Sequence, residues 1–336
     1  MIPINSDPLH RHSETGRAVA SRWLTCLLGI VATVGSCWAA ANSRMLEPRL
    51  VLWGFTQGER LNQPRGAAFD PRDGAIYVAN TGDHEIEVFS KTGRPLSRFV
   101  HRVRRSDGTT VDGNPCALAF DRSGRLLVAD QLVSYVDVLD GRGRPVTRFE
   151  IPTGHPNALA VAGDGTIFVG TTAEASKIYR FRPDYAPDGS WGEEGTEPGH
   201  LFSVTAIAVL GDTAIAVACG RTDFGIQIFT PAGTYRRGFG LHDVGDGNVS
   251  LPSGVIATAD GRIWVVDEIR ETIQVFDKDG NFVAKTGEKG VAPGEFGHPS
   301  SLTSNGRGLI ALTDRGIGRV QVLGISGFEG VNLERQ

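Results

Sequence analysis

The strongest constraint on this 336-residue chain is an internal repeat of roughly 48 residues. It opens on PRGAAF at Pro64, PCALAF at Pro115, PNALAV at Pro156, VTAIAV at Val204, PSGVIA at Pro252 and PSSLTS at Pro299, in steps of 51, 41, 48, 48 and 47. Each copy continues into a second apolar run: AIYVAN, RLLVAD, TIFVGT, AIAVAC, RIWVVD and LIALTD. A third follows: EIEVFS, YVDVLD, KIYRFR, GIQIFT, TIQVFD and RVQVLG. Short β-branched and aromatic runs bounded by clusters such as Asp277-Lys278-Asp279-Gly280 spell antiparallel strands joined by tight turns. The 44 Gly and 17 Pro residues are the turn content of such meanders.

A fourth strand is clear in PLSRF (95–99), PVTRF (145–149), TYRRGFG (234–240) and NFVAKTG (281–287), and weak around Trp191. The sixth unit has none of its own. RLVLWGF (49–55) has strand chemistry, and the loop after it, TQGERLNQP, resembles EKGVAPGEFGHP before Pro299. The N-terminal strand therefore fills the missing slot and closes a ring, which removes the exposed edges of an open stack. No 3.6-period stretch of ten or more residues follows residue 46, so helical and dinucleotide-binding folds are excluded. A net charge of −4 gives no basic field for nucleic acid.

The pattern resembles the NHL-repeat family, most closely in VVDEIRETIQVFDKDGNFVAKTGEKGVAPGEFGHPSSL (265–302) and in VANTGDHEIEVFSKTGRPLSRF (78–99). The resemblance implies an all-β fold, a six-bladed β-propeller of four-stranded antiparallel blades closed by an N-terminal strand. The blades are expected near 64–99, 114–149, 155–192, 202–240, 251–287 and 297–324 plus 49–55. Propellers of this kind include enzymes, sensors and scaffolds, so the likeness does not specify a function.

Residues 1–45 read as an export signal or membrane anchor, and 46–336 as the propeller. From Trp23 to Ser43 no residue is charged, after Arg11, Arg17 and Arg22. Three endings fit. Val34-Gly35-Ser36-Cys37 resembles the bacterial lipobox, which would make Cys37 a lipidation site. Ala39-Ala40-Ala41 fits ordinary cleavage, and the uncharged run is long enough to stay as a span. All three place the ring outside the cytoplasm, in the periplasm or on the outer cell surface. Beyond this segment only Cys116 and Cys219 remain, too few for a disulfide framework.

In a propeller the loops entering the inner strand and leaving the second strand meet at one mouth of the channel. That places Arg65, His155, Asn157 and His298 at strand entry, with Asp130, Asp267 and Asp314 at the ends of second strands, as candidate ligand contacts. The aspartates recur at one blade position with Asn80, so an Asx-type bond to loop backbone is the competing role. Amidating lyases of similar propeller form hold zinc through histidines directly after the strand-entry position. Here that position reads Arg65, Cys116, Asn157, Thr205, Ser253 and Ser300, so a three-histidine zinc site is not formed in that way. Gluconolactonase-like propellers use a channel Glu with Asn and Asp; no Glu stands at strand entry. The loop Val100–Gly113 carries His101, Arg102, Arg104 and Arg105, a basic cluster for an acidic partner.

The sequence thus leads to a binding or scaffold propeller of the cell envelope, engaging a protein or peptide and the membrane through its N-terminal segment, with no catalytic residue and no cofactor assigned. The alternative is a metal-dependent lyase or hydrolase with calcium or zinc at the channel mouth.

Overall fold

The computed structural model describes residues 45–172 and 175–326; the export segment and Cys37 lie outside the described residues. Six four-stranded antiparallel sheets are formed, one per repeat. The inner strands are Gly66–Phe69, Pro115–Phe120, His155–Val161, Val204–Leu210, Pro252–Ala257 and Pro299–Ser304. Five blades run in chain order from inner to outer strand. The sixth is completed by Leu46–Leu52, which pairs antiparallel with Arg319–Ile325.

That closing strand begins three residues earlier than the sequence pattern suggests. Leu46 and Leu52 are both buried, opposite Ile325 and Val320, and a bulge between Pro48 and Leu50 accommodates the proline. The weak fourth strand of the third unit is real, Pro187–Trp191. The loop Val100–Gly113, expected to lack strands, contains a two-stranded hairpin, Arg102–Arg104 with Thr110–Asp112. Val103 drives it, burying its side chain against Val133 and Tyr135 in a small satellite cluster.

The second strands are buried on both faces because each blade is packed between two others, which is why their sequences are continuously apolar. Six separate clusters result, one at each blade interface. Trp264, Leu312 and Leu323 fill the one between blades five and six; Val78, Phe89 and Val320 belong to the one that closes the ring between blades six and one. Near the axis the backbones crowd. A Cβ on Gly66 would lie 2.7 Å from the carbonyl oxygen of Cys116, and one on Gly254 2.7 Å from the Leu302 amide nitrogen, so these inner strands need glycine to approach each other.

In four blades the interblade loop is fastened by one polar side chain in the middle of the third strand. Gln227, Gln274 and Gln321 do this identically. Each accepts a bond from a loop glycine N–H (Gly199, Gly247, Gly294) and donates to the next carbonyl (His200, Asn248, Glu295). Tyr179 reaches Thr153 O at 3.2 Å in the same place. In the first two blades the position is ionisable, Glu87 and Asp137.

Candidate functional site

The inner strands surround an axial channel of about 470 Å³, within the usual range for small-ligand sites. Each inner strand pairs on one side only, so its other edge presents backbone N–H and C=O groups to the channel. The mouth is where the strand-entry residues gather, and most of them are engaged with the neighbouring blade.

Ser300 Oγ donates to the carbonyl of Pro64 (2.8 Å), Ser253 Oγ to that of Pro299 (2.9 Å), and Thr205 Oγ1 to that of Pro252 (2.6 Å). Asn157 Nδ2 donates to Val204 O (2.9 Å) and Cys116 Sγ to Pro156 O (3.5 Å). The sixth link comes from elsewhere: Thr81 Oγ1 donates to Pro115 O at 2.7 Å. The six bonds form a closed ring joining every blade to the next at the strand-entry carbonyl. Each inner-strand carbonyl near the axis lacks a sheet partner, so a small donor on the preceding blade satisfies it.

Arg65 is the exception. Thr81 performs the ring bond in its blade, and the Arg65 guanidinium has no hydrogen-bond or ion-pair partner among the described residues; only its backbone is engaged, by Ala79 O and Thr313 Oγ1. Two other charged residues line the channel, Arg315 and Glu268, and they are paired with each other. Sequence reasoning missed both, although they directly follow the second-strand aspartates Asp267 and Asp314.

The aspartates are buried within the blades and away from the channel lining. Asp267 is 0 % exposed and accepts bonds from the N–H groups of Ser250, Leu251 and Arg270. Asp314 accepts from Gly297 N–H and Arg319 Nε; burial raises its pKa. Asp130 caps Leu132 N–H, and Asn80 Oδ1 accepts from Asn62 N–H at 2.6 Å. These side chains organise loops and do not reach the channel. Asn157 is doubly engaged, also accepting from Gln131 Nε2 at 3.0 Å. His155 lies half-buried at the start of its strand with Nδ1 unpartnered, whereas His298 is exposed, with positive φ, 3.9 Å from Glu271. The two histidines therefore have unlike settings on blades three and six. Among the described residues no three His, Cys, Asp or Glu side chains are arranged to hold a metal ion.

The basic cluster divides. Arg102, Arg104 and Arg105 are exposed on the hairpin, with Arg102 paired to Asp112 at 3.2 Å. His101 cannot dock a partner: it is 3 % exposed, because its ring occupies the loop-fastening site of blade two. Its Nε2 lies 3.6 Å from Asp130 Oδ2 and 3.6 Å from Asp137 Oδ2. Burial depresses its pKa to about 4, so at neutral pH the ring is uncharged and these contacts are not ion pairs. Burial lifts Asp137 to about 7, against the opposing pull of Arg148. The signal was present in the sequence, since Asp137 is the polar residue at the centre of the third-strand run YVDVLD.

Comparison with known proteins agrees with this architecture. A family described as a 6-bladed beta-propeller matches residues 251–323, and the NHL repeat matches 61–89. The protein lin-41 of Caenorhabditis elegans is 43 % identical over 47 residues, which is 14 % of this chain and only 4 % of that protein. A virginiamycin B lyase from Staphylococcus aureus superposes with a TM-score of 0.58 at 13 % identity, covering 83 % of this chain and 99 % of its own. A putative gluconolactonase gives 0.61 at 11 % identity, covering 85 % and 93 %. A gluconolactonase from Xanthomonas campestris gives 0.58 at 17 %, covering 83 % and 95 %. At these identities the likeness is one of fold.

Proposed function

We propose that this six-bladed propeller with NHL repeats is a binding scaffold of the cell envelope, which presents its channel mouth and interblade loops to a protein or peptide without turning it over. One observation carries the reading. Five of the six strand-entry side chains, the position from which a propeller of this type would offer ligands, are engaged in blade-to-blade hydrogen bonds. Those groups support the ring, and a rigid ring with fastened loops is suited to recognition. The exposed arginines of the hairpin provide a charge for an acidic partner. The N-terminal segment is read as delivering the ring across the membrane and tethering it there, through Cys37 if the lipobox is used.

The test is co-purification from the envelope of the source cell with intact protein and with Arg102→Glu, Arg104→Glu and Arg105→Glu combined. The reading expects a stoichiometric protein or peptide with the unaltered ring and reduced recovery with the charge-reversed hairpin. Stoichiometric zinc or calcium, lost on changing His155 or His298 to Ala, would instead favour a metal-dependent lyase or hydrolase.

A further inference from the structure

We infer that Arg65 is the anchor of a carboxylate-binding site at the channel mouth, where a monoanionic carboxylate enters the axial cavity. The inference rests on the binding reading above and names the ligand chemistry.

The argument comes from comparing the six repeats with one another. At strand entry the fold asks for a small donor to the next blade's carbonyl, and Ser300, Ser253 and Thr205 meet that need most directly. In the first blade Thr81, sixteen positions further on, makes the bond instead. Arg65 is thereby released from the ring and lines the channel with a half-buried guanidinium that has no partner among the described residues. A charged group set in a partly desolvated mouth lowers stability unless something pairs with it, and the ring would be complete with a serine there.

The charge balance selects the ligand. The lining carries Arg65, Arg315 and Glu268. Glu268 neutralises Arg315, so the described lining carries one uncompensated positive charge, that of Arg65. A monoanion neutralises that single charge, whereas a dianion such as phosphate would leave one negative charge uncompensated in the mouth. The planar guanidinium fork fits a carboxylate with two parallel bonds. Below it the wall is formed by the inner strands, whose partly exposed lining residues include Ala117, Ala119 and Ala206, with room for a short organic body. The carboxylate has two sources, a free organic acid or the C-terminus of a peptide.

The experiment is calorimetric titration of the protein with sodium propionate, with the tripeptide Ala-Ala-Leu as free acid and as C-terminal amide, and with inorganic phosphate. Both Arg65→Ser, which places there the side chain of the fifth and sixth blades, and Arg65→Lys are measured alongside, with urea unfolding to establish that each is folded. We expect binding of the free acids that falls at least about tenfold in Arg65→Ser, in line with loss of a charge-assisted bond, and partial retention in Arg65→Lys. A peptide acid much tighter than propionate identifies a chain terminus as the source; equal affinities identify a small organic acid. The inference is overturned if the amide binds as well as the acid, if phosphate binds more tightly than either carboxylate, if folded Arg65→Ser is unaffected, or if no carboxylate binds. Any of these with partner recovery intact leaves the scaffold reading standing.

Discussion

Replacing Arg319 with methionine should lower the unfolding free energy by about 3–5 kcal/mol, the range for removing one member of a buried ion pair. Arg319 is 0 % exposed, as is Asp314, whose carboxylate lies 3.1 Å from its Nε. The guanidinium also donates to the carbonyls of Val291, Ala292 and Glu295, and it lies 5.5 Å from the centre of the Trp53 ring. One side chain therefore fastens the loop before the sixth inner strand to the strand that receives the N-terminal closing strand. Methionine fills similar volume but leaves Asp314 without its charge partner and three carbonyls without their donor. Urea unfolding of the single variant and of Arg319→Met with Asp314→Asn measures the effect. The double variant should recover part of the loss, because no buried charge is then orphaned; a double variant worse by the sum of both singles would contradict the pairing.

Asp137→Asn should act in the opposite direction, and only at the higher pH. The carboxyl is enclosed by His101 from the interblade loop, Asp130 from the second strand, and Arg148 and Glu150 from the outer strand. Burial holds its pKa near 7 in the folded protein, above the 3.8 of a free aspartate. A raised pKa means that the stability it contributes is fully present below about pH 4 and is lost as pH rises toward 7. Removing the titration should therefore raise stability by roughly 1–3 kcal/mol at pH 8, with a much smaller change near pH 4. Parallel urea titrations at the two pH values decide it. His101, 3.6 Å from the carboxyl with its pKa lowered to about 4, is neutral at pH 8, so the gain there is read against an uncharged ring. An equal gain at both pH values would show that the carboxyl is not the source.

The fold was legible because it repeats. A mistake in any one strand is corrected by its five counterparts, and the closing strand was recognisable from its following loop even though its first residues, Leu46 and Glu47, did not stand out. The site was legible only by position. Arg65 and Asn157 line the channel, while His155 and His298 are not among its lining residues, and the sequence could not show that Asn157 and its counterparts point across to the next blade. That direction depends on the spacing of neighbouring backbones around the axis. Thr81 was missed because it does for the first blade, from a different loop, what residue 300 does for the sixth. His101 was misread because a histidine beside three arginines looks solvated, and only the fold brings Asp130 and Asp137 to either side of it.

The central claim is that the polar residues of the mouth hold the ring together and leave one arginine free. Equilibrium urea unfolding of Ser300→Ala beside Arg65→Ser tests it most directly. Ser300→Ala orphans the Pro64 carbonyl and should cost about 1 kcal/mol. Arg65→Ser removes a side chain with no partner among the described residues and should leave stability unchanged or slightly raised. A stable Ser300→Ala together with a destabilised Arg65→Ser would contradict the account, because the arginine would then be part of the ring and the serine free to meet a ligand.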